Sequence, residues 1–210
     1  MDGTLVDTEP VGPQTFLNQL SKYGVKPTDD EYELFVKVWR RDGTDINEND
    51  YLSDIVKKYK LDITPDEYIG EFYSMYEKGI IEAAPLTGVH EFLNKTKESK
   101  RFKLAVVTAS KASQVRAVLK KNGWDDVFDV IVAEEDISHH KPDPEPFIVG
   151  MNKLSAKSDE CIILEDSKNG VLAGKSSGCL VIGLKIGNKK PQDLTQADIV
   201  LESLLDVSLD

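Results

Sequence analysis

Glu165 and Asp166 stand side by side after the apolar run 161–164, and a Ser-Lys-Asn-Gly turn then leads into a helix-like stretch. Two hard oxygen donors on a rigid strand tip suit Mg²⁺, which keeps several waters and takes one or two carboxylates from a protein. The competing use is a helix N-cap, formed by Asp166 or Ser167. Thr108 closes a second apolar run, and a helix begins within a few residues, at Lys111–Ser113. Helix N-termini offer unpaired N–H groups and a positive dipole end to an anion. Thr108 would add a hydroxyl contact to phosphate there, unless it or Ser110 simply caps the helix. Lys141 lies in HHKPDPEPF, where the prolines stiffen the loop and suit the start of the next helix. An ammonium held in this way stabilises negative charge on a phosphate; the alternative is a lysine in solvent. Asp2-Gly3-Thr4 is a short acidic turn. His139 and His140 read as loop residues, and His90 as the exposed side of a helix.

The elements that must position these residues fall into two textures. From about Glu9 to Glu82 the periodicity is helical: PQTFLNQLSKYG, DDEYELFVKVWR, DYLSDIVKKYK and TPDEYIGEFYSMYEKGIIE predict four amphipathic helices, the last opened by Thr64-Pro65-Asp66. From Pro85 onward, helical stretches alternate with apolar runs at 102–107, FDVIVA, ECIIL, CLVIGL and DIVLES. Near-continuous apolar strands alternating with helices predict an α/β fold, a parallel sheet with helices on both faces. Ligands of open parallel sheets sit beyond the carboxyl ends of the strands. Those positions hold Thr108-Ala109-Ser110, Lys141 and Glu165-Asp166, so two acids, a base and a hydroxyl share one rim.

Bulk properties narrow the setting. A chain of 210 residues suits one or two domains, and no apolar run approaches the ~18–20 residues that cross a bilayer. The first residues lack the basic and apolar regions of a secretory signal, which predicts a cytoplasmic protein. The net charge of −11 repels nucleic acid and anionic membranes, so neither is expected as a partner. Cys161 and Cys179 lie in apolar segments and read as small buried hydrophobes of a reducing compartment, with a disulfide the lesser alternative.

MDGTLVDTEP, VVTAS, HKPDPEPF and LEDSKNG, in that order, resemble the four motifs of the haloacid dehalogenase superfamily of phosphatases and phosphomutases. The helical stretch between the first two resembles the cap of its β-phosphoglucomutase-like branch, and the resemblance covers nearly the whole chain. It implies a Rossmann-like α/β core formed by 1–8 and 84–210, with an all-α cap domain at 9–83. It also implies Mg²⁺ as cofactor and a small phosphorylated metabolite as substrate, of sugar- or polyol-phosphate type first, with phosphoglycolate and nucleoside monophosphates left open. The sequence is silent on oligomeric state, and a monomer is the default. By the same resemblance Asp2 is the general acid/base and lends its carbonyl to the metal. Thr108 and the Ala109 N–H bind the transferred phosphoryl group, and Lys141 orients the nucleophile and neutralises the phosphate. Asp166 is a direct Mg²⁺ ligand, and Glu165 acts directly or through water.

One departure stands out. The family's nucleophile is an aspartate two positions before Asp2, outside these 210 residues, together with the central strand that leads into it. Burying about five apolar side chains on such a strand is worth ~8–15 kcal/mol, so the remaining sheet is expected to part or to re-pair. The expectation is a native chain that extends upstream of Met1 and a 210-residue chain without turnover; a phosphomutase and a non-catalytic phosphometabolite-binding protein are the alternatives. In the cap, Lys37, Arg40 and Arg41 could meet a substrate, or act as helix-end cations. Glu9 could face the substrate or cap the next helix.

Overall fold

The computed structural model describes residues 1–40, 43–186 and 192–208. The chain divides into two compact units, Met1–Glu9 with Ala84–Asp210, and Pro10–Ala83.

The second unit is helical: α1 (Val11–Lys22), α2 (Asp29–Trp39), α3 (Glu48–Tyr59) and α4 (Pro65–Glu82). Two of these helices begin at Thr-x-x-Glu boxes, in which hydroxyl and carboxylate satisfy each other's backbone N–H groups. The Thr28 N–H donates to Glu31 Oε2 at 2.7 Å and the Thr64 N–H to Glu67 Oε2 at 3.1 Å, with Pro65 at the first position of α4. Their apolar stripes meet in an aromatic core where Phe16 and Phe35 stack at 4.1 Å, with Leu20, Leu52, Tyr68 and Phe72 fully enclosed. Glu31 is buried at its edge. Burial pushes its carboxyl up, but bonds from Lys58, Tyr59 and Thr28 outweigh this and bring it down to about 2.

The other unit alternates helix and strand: α5 (Val89–Ser99), β1 (Ala105–Val107), α6 (Ala112–Lys121), β2 (Val130–Val132), α7 (Glu145–Leu154), β3 (Ile162–Glu165), α8 (Lys168–Ser176), β4 (Leu180–Leu184) and β5 (Ile199–Leu201). Among the described residues β1–β5 pair in parallel. The run at 102–107 yields a strand only from Ala105. The Leu104 N–H is taken by the Asp129 carboxylate at 2.8 Å, and Phe102 is 44% exposed. The sheet is parted: β1 pairs with β2, and β3–β4–β5 form a separate ladder. Side chains carry the core across, since Val107 of β1 packs on the cluster of Phe147, Ile163, Val171 and Val181.

The first nine residues belong to this unit. The chain turns at Gly3, with φ 67°, and Val6 then pairs antiparallel with Pro85. The Asp7 N–H donates to the Ala84 carbonyl at 2.9 Å, and the Leu86 N–H to the Leu5 carbonyl at 2.9 Å. Among the described residues no helix is long and apolar enough to cross a membrane.

Candidate active site

The Asp2–Thr4 turn meets the carboxyl ends of β1 and β3. Asp2 Oδ2 accepts from Ser110 Oγ at 2.6 Å and from Thr108 Oγ1 at 3.3 Å. Thr4 Oγ1 donates to Asp166 Oδ1 at 2.5 Å. Thr108 is buried, and its hydroxyl also accepts from the Ser110 N–H at 3.2 Å. The bend after it leaves Ala109 exposed. Neither hydroxyl caps α6, whose N-cap is Lys111, its N–H held by Gln114 Oε1 at 3.2 Å. The capping reading of these hydroxyls is therefore corrected: the Asp2 carboxylate draws both toward itself.

Lys141 reaches the same rim from the loop before α7. Its Nζ donates to Glu165 Oε1 at 2.5 Å and to the Val107 carbonyl at 3.4 Å, and lies 4.6 Å from the Phe147 ring centroid. The side chains of Lys141 and Glu165 are only 18% and 8% exposed, so the solvated-lysine alternative does not hold. Glu145 braces this loop. Its carboxylate takes the Ser138 and His139 N–H groups at 2.8 Å each and His139 Nδ1 at 2.6 Å. The Ser138 bond first, and His139 next, hold the Glu145 carboxyl below its usual range. The ligand atoms of His139, Asp143 and Glu145 lie within 4.8 Å of one another. Their contacts are those of a loop tied to a helix start, as Asp143 Oδ1 accepts the Glu145 N–H at 2.8 Å. His140 is exposed. His90, also exposed, accepts from Trp124 Nε1 at 3.1 Å.

The paired acids divide their work. Glu165 turns inward: besides Lys141 on Oε1, its Oε2 accepts the Asp166 N–H at 2.8 Å and the Ser167 N–H and hydroxyl at 3.1 Å each. Burial pushes this carboxyl up, yet the Lys141 ammonium and the hydrogen bonds outweigh it and leave the group below its usual range. Room for the carboxylate comes from Gly170, where a Cβ would stand 2.0 Å from Glu165 Cδ. Ser167, not Asp166, caps α8, accepting the Gly170 N–H at 3.1 Å. Asp166 is half-buried and turned to Thr4.

Asp2 and Asp166, with the hydroxyls of Thr4, Thr108 and Ser110, form an all-oxygen donor set. Such a set fits a hard divalent cation better than a soft one. Thr4 and the Ser110 contact to Asp2 escaped the sequence reading. The hydroxyls inside DGT and TAS were the available signal, but their partners lie 162 and 108 residues away. In the helical unit, Lys37 occupies the last turn of α2 and Arg40 its C-cap, while Arg41 lies outside the described residues. Pro10 is the N-cap of α1.

A family model for haloacid dehalogenase-like hydrolases matches residues 1–184. The chain is 30% identical over 213 residues to the bifunctional riboflavin kinase/FMN phosphatase of Arabidopsis thaliana, a match covering 100% of this chain and 53% of that protein. It is 38% identical over 125 residues to the pyrophosphatase PpaX of Halalkalibacterium halodurans, covering 59% and 58%. The phosphorylated carbohydrates phosphatase of Thermotoga maritima is 30% identical over 179 residues, covering 85% and 79%. The chain thus spans little more than half the length of the first two relatives. Among solved structures, a Thermotoga maritima protein assigned as a beta-phosphoglucomutase superposes with a TM-score of 0.81 at 24% identity, over 96% of this chain and 91% of that one. That likeness establishes the fold.

Proposed function

The chain belongs to the haloacid dehalogenase-like hydrolases, and from that membership we propose that it provides the phosphate site of a Mg²⁺-dependent phosphatase acting on small phosphorylated metabolites of sugar- or polyol-phosphate type. The observation that carries the reading is the meeting of Asp2, Thr108, Lys141 and Asp166 at one strand rim. Names of relatives such as the phosphorylated carbohydrates phosphatase and the fructose-1-phosphate phosphatase YqaB of Escherichia coli support the substrate class.

In this reading the Thr108 hydroxyl and Ala109 N–H receive the transferred phosphoryl oxygens. Lys141, fixed by Glu165, offsets their charge in the transition state. Asp2 protonates the leaving oxygen and then takes a proton from water. Ser110 steers the Asp2 carboxylate. Asp2 and Asp166 would hold Mg²⁺, which when bound neutralises phosphate charge. Glu165 then serves the metal site indirectly, through Lys141 and the Asp166 N–H. The family's nucleophilic aspartate belongs two positions before Asp2, so hydrolysis through a phosphoaspartate is proposed for a chain that carries it. Residues 9–83 are proposed to select the leaving group.

Two assays test this. Calorimetry on the 210-residue chain should detect orthophosphate binding that requires Mg²⁺ and disappears in Thr108→Val and Lys141→Met. A chain extended by a strand ending in aspartate two positions before Asp2 should release phosphate from hexose phosphates, and Asp2→Asn should abolish that release. Absence of phosphate binding in the first assay, with the fold intact by circular dichroism, would sink the proposal.

A further inference from the structure

Cys161 and Cys179 directly precede β3 and β4, whose parallel register begins with Ile162 opposite Leu180. Extending that register by one residue sets the two cysteines opposite each other. Side chains alternate across a sheet. Ile162 and Leu180 are 61% and 42% exposed, while Ile163 and Val181 at the next position are buried, so the cysteines share the buried side. Cys179 is a member of that core cluster, and Cys161 and Met151 pack against it. Both thiols are free, and Cys179 Sγ lies 3.4 Å from Met151 Sδ. Neighbouring strands run ~4.8 Å apart, within the Cα separation of ~4.4–6.8 Å that a disulfide spans.

We infer that Cys161 and Cys179 are a cross-strand redox pair that a low-molecular-weight disulfide oxidises to an intramolecular disulfide. Cys161, the more exposed thiol, loses its proton and attacks a sulfur of the oxidant, forming a mixed disulfide and releasing one small thiol. Cys179 then loses its proton and attacks the Cys161 sulfur, releasing the second small thiol. Two protein thiols give up two electrons and two protons, and the oxidant is reduced to two thiols. Burial, followed by the neighbouring Cys179, raises the Cys161 thiol pKa, which makes the first step slow near neutrality. The closed ring encloses β3, Glu165, Asp166 and α8. Its clasp lies at the amino end of β3, away from the carboxylates, so it restrains the acidic segment in the unfolded chain without entering the phosphate site.

The test is incubation of the 210-residue chain with oxidised glutathione at mildly alkaline pH, followed by thiol titration in denaturant, intact mass and peptide mapping. The expected result is loss of both thiols and of the mass of two hydrogens, a linked peptide pair containing Cys161 and Cys179, and a thermal midpoint that rises and reverts with dithiothreitol. Cys179→Ala should stop at a lasting glutathione adduct on Cys161. Two titratable thiols after oxidation, a stable adduct on the unsubstituted chain, or a covalent dimer would each overturn the inference.

Discussion

Replacing Lys141 by methionine keeps most of the aliphatic stem and removes the charge that faces Glu165. At 2.5 Å, with an effective dielectric constant of ~20, the pair's attraction is about 7 kcal/mol. The enclosure of both side chains means that desolvation offsets much of this. Removing one partner from a buried pair typically costs ~3–5 kcal/mol, and Glu165 keeps three donors on its other oxygen, which places the loss near ~3 kcal/mol. For a chain of this size that is a fall of about 6–12 °C in thermal midpoint. Trp124 is buried in the α/β unit, whereas Trp39 belongs to the helical core. Thermal and urea melts followed by Trp124 fluorescence in a Trp39→Phe background therefore read the right unit. Adding Glu165→Gln to Lys141→Met should recover most of the loss, because no uncompensated carboxylate remains. A single variant that melts within ~1 kcal/mol of its parent would refute the view that Glu165 depends on Lys141, and with it the assignment of Glu165 to positioning rather than to the metal.

Gly170→Ala should destabilise by ~1–3 kcal/mol through overpacking, the opposite of the ~1 kcal/mol gain that alanine brings in a helix interior. The added Cβ collides with a carboxylate already fixed by Lys141 and Ser167, and urea midpoints decide the sign. Glu31→Gln should cost ~2–3 kcal/mol at neutral pH. The folded carboxyl lies near about 2 against an ordinary 4.5. Its stabilising contribution is therefore present above 4.5 and lost as pH falls toward 2. Melts followed by Trp39 fluorescence should show parent and variant converging over that window; a pH-independent gap would contradict the electrostatic origin.

Helix starts were legible where the signal is local, as with Thr64-Pro65-Asp66 at α4, whereas the Thr28–Glu31 and Thr64–Glu67 boxes, although they act across only three residues, were not read from the sequence. The parallel strands were legible as apolar runs, and the rule for strand ends pointed to Thr108, Lys141, Glu165 and Asp166. What stayed hidden depends on contacts distant in sequence. Which of two adjacent acids turns inward was decided by Gly170 and Lys141, not by the local string LEDS. The shortening of β1 came from Asp129, and the use of Ser110 from Asp2.

The antiparallel pairing of Val6 with Pro85 and the Asp7–Ala84 hydrogen bond bear on how this chain can be rebuilt. The peptide leaves the α/β unit and re-enters it at neighbouring positions, so the helical segment is an insertion with a narrow neck. Closing that neck with a short turn lowers the entropic cost of loop closure, by ~0.6 kcal/mol for each halving of length. Swapping residues 10–83 for another segment, or deleting them, is expected to keep the registers of β1–β5, all of which lie within 105–201. The helical unit is thus a contiguous insertion that can be exchanged as one piece.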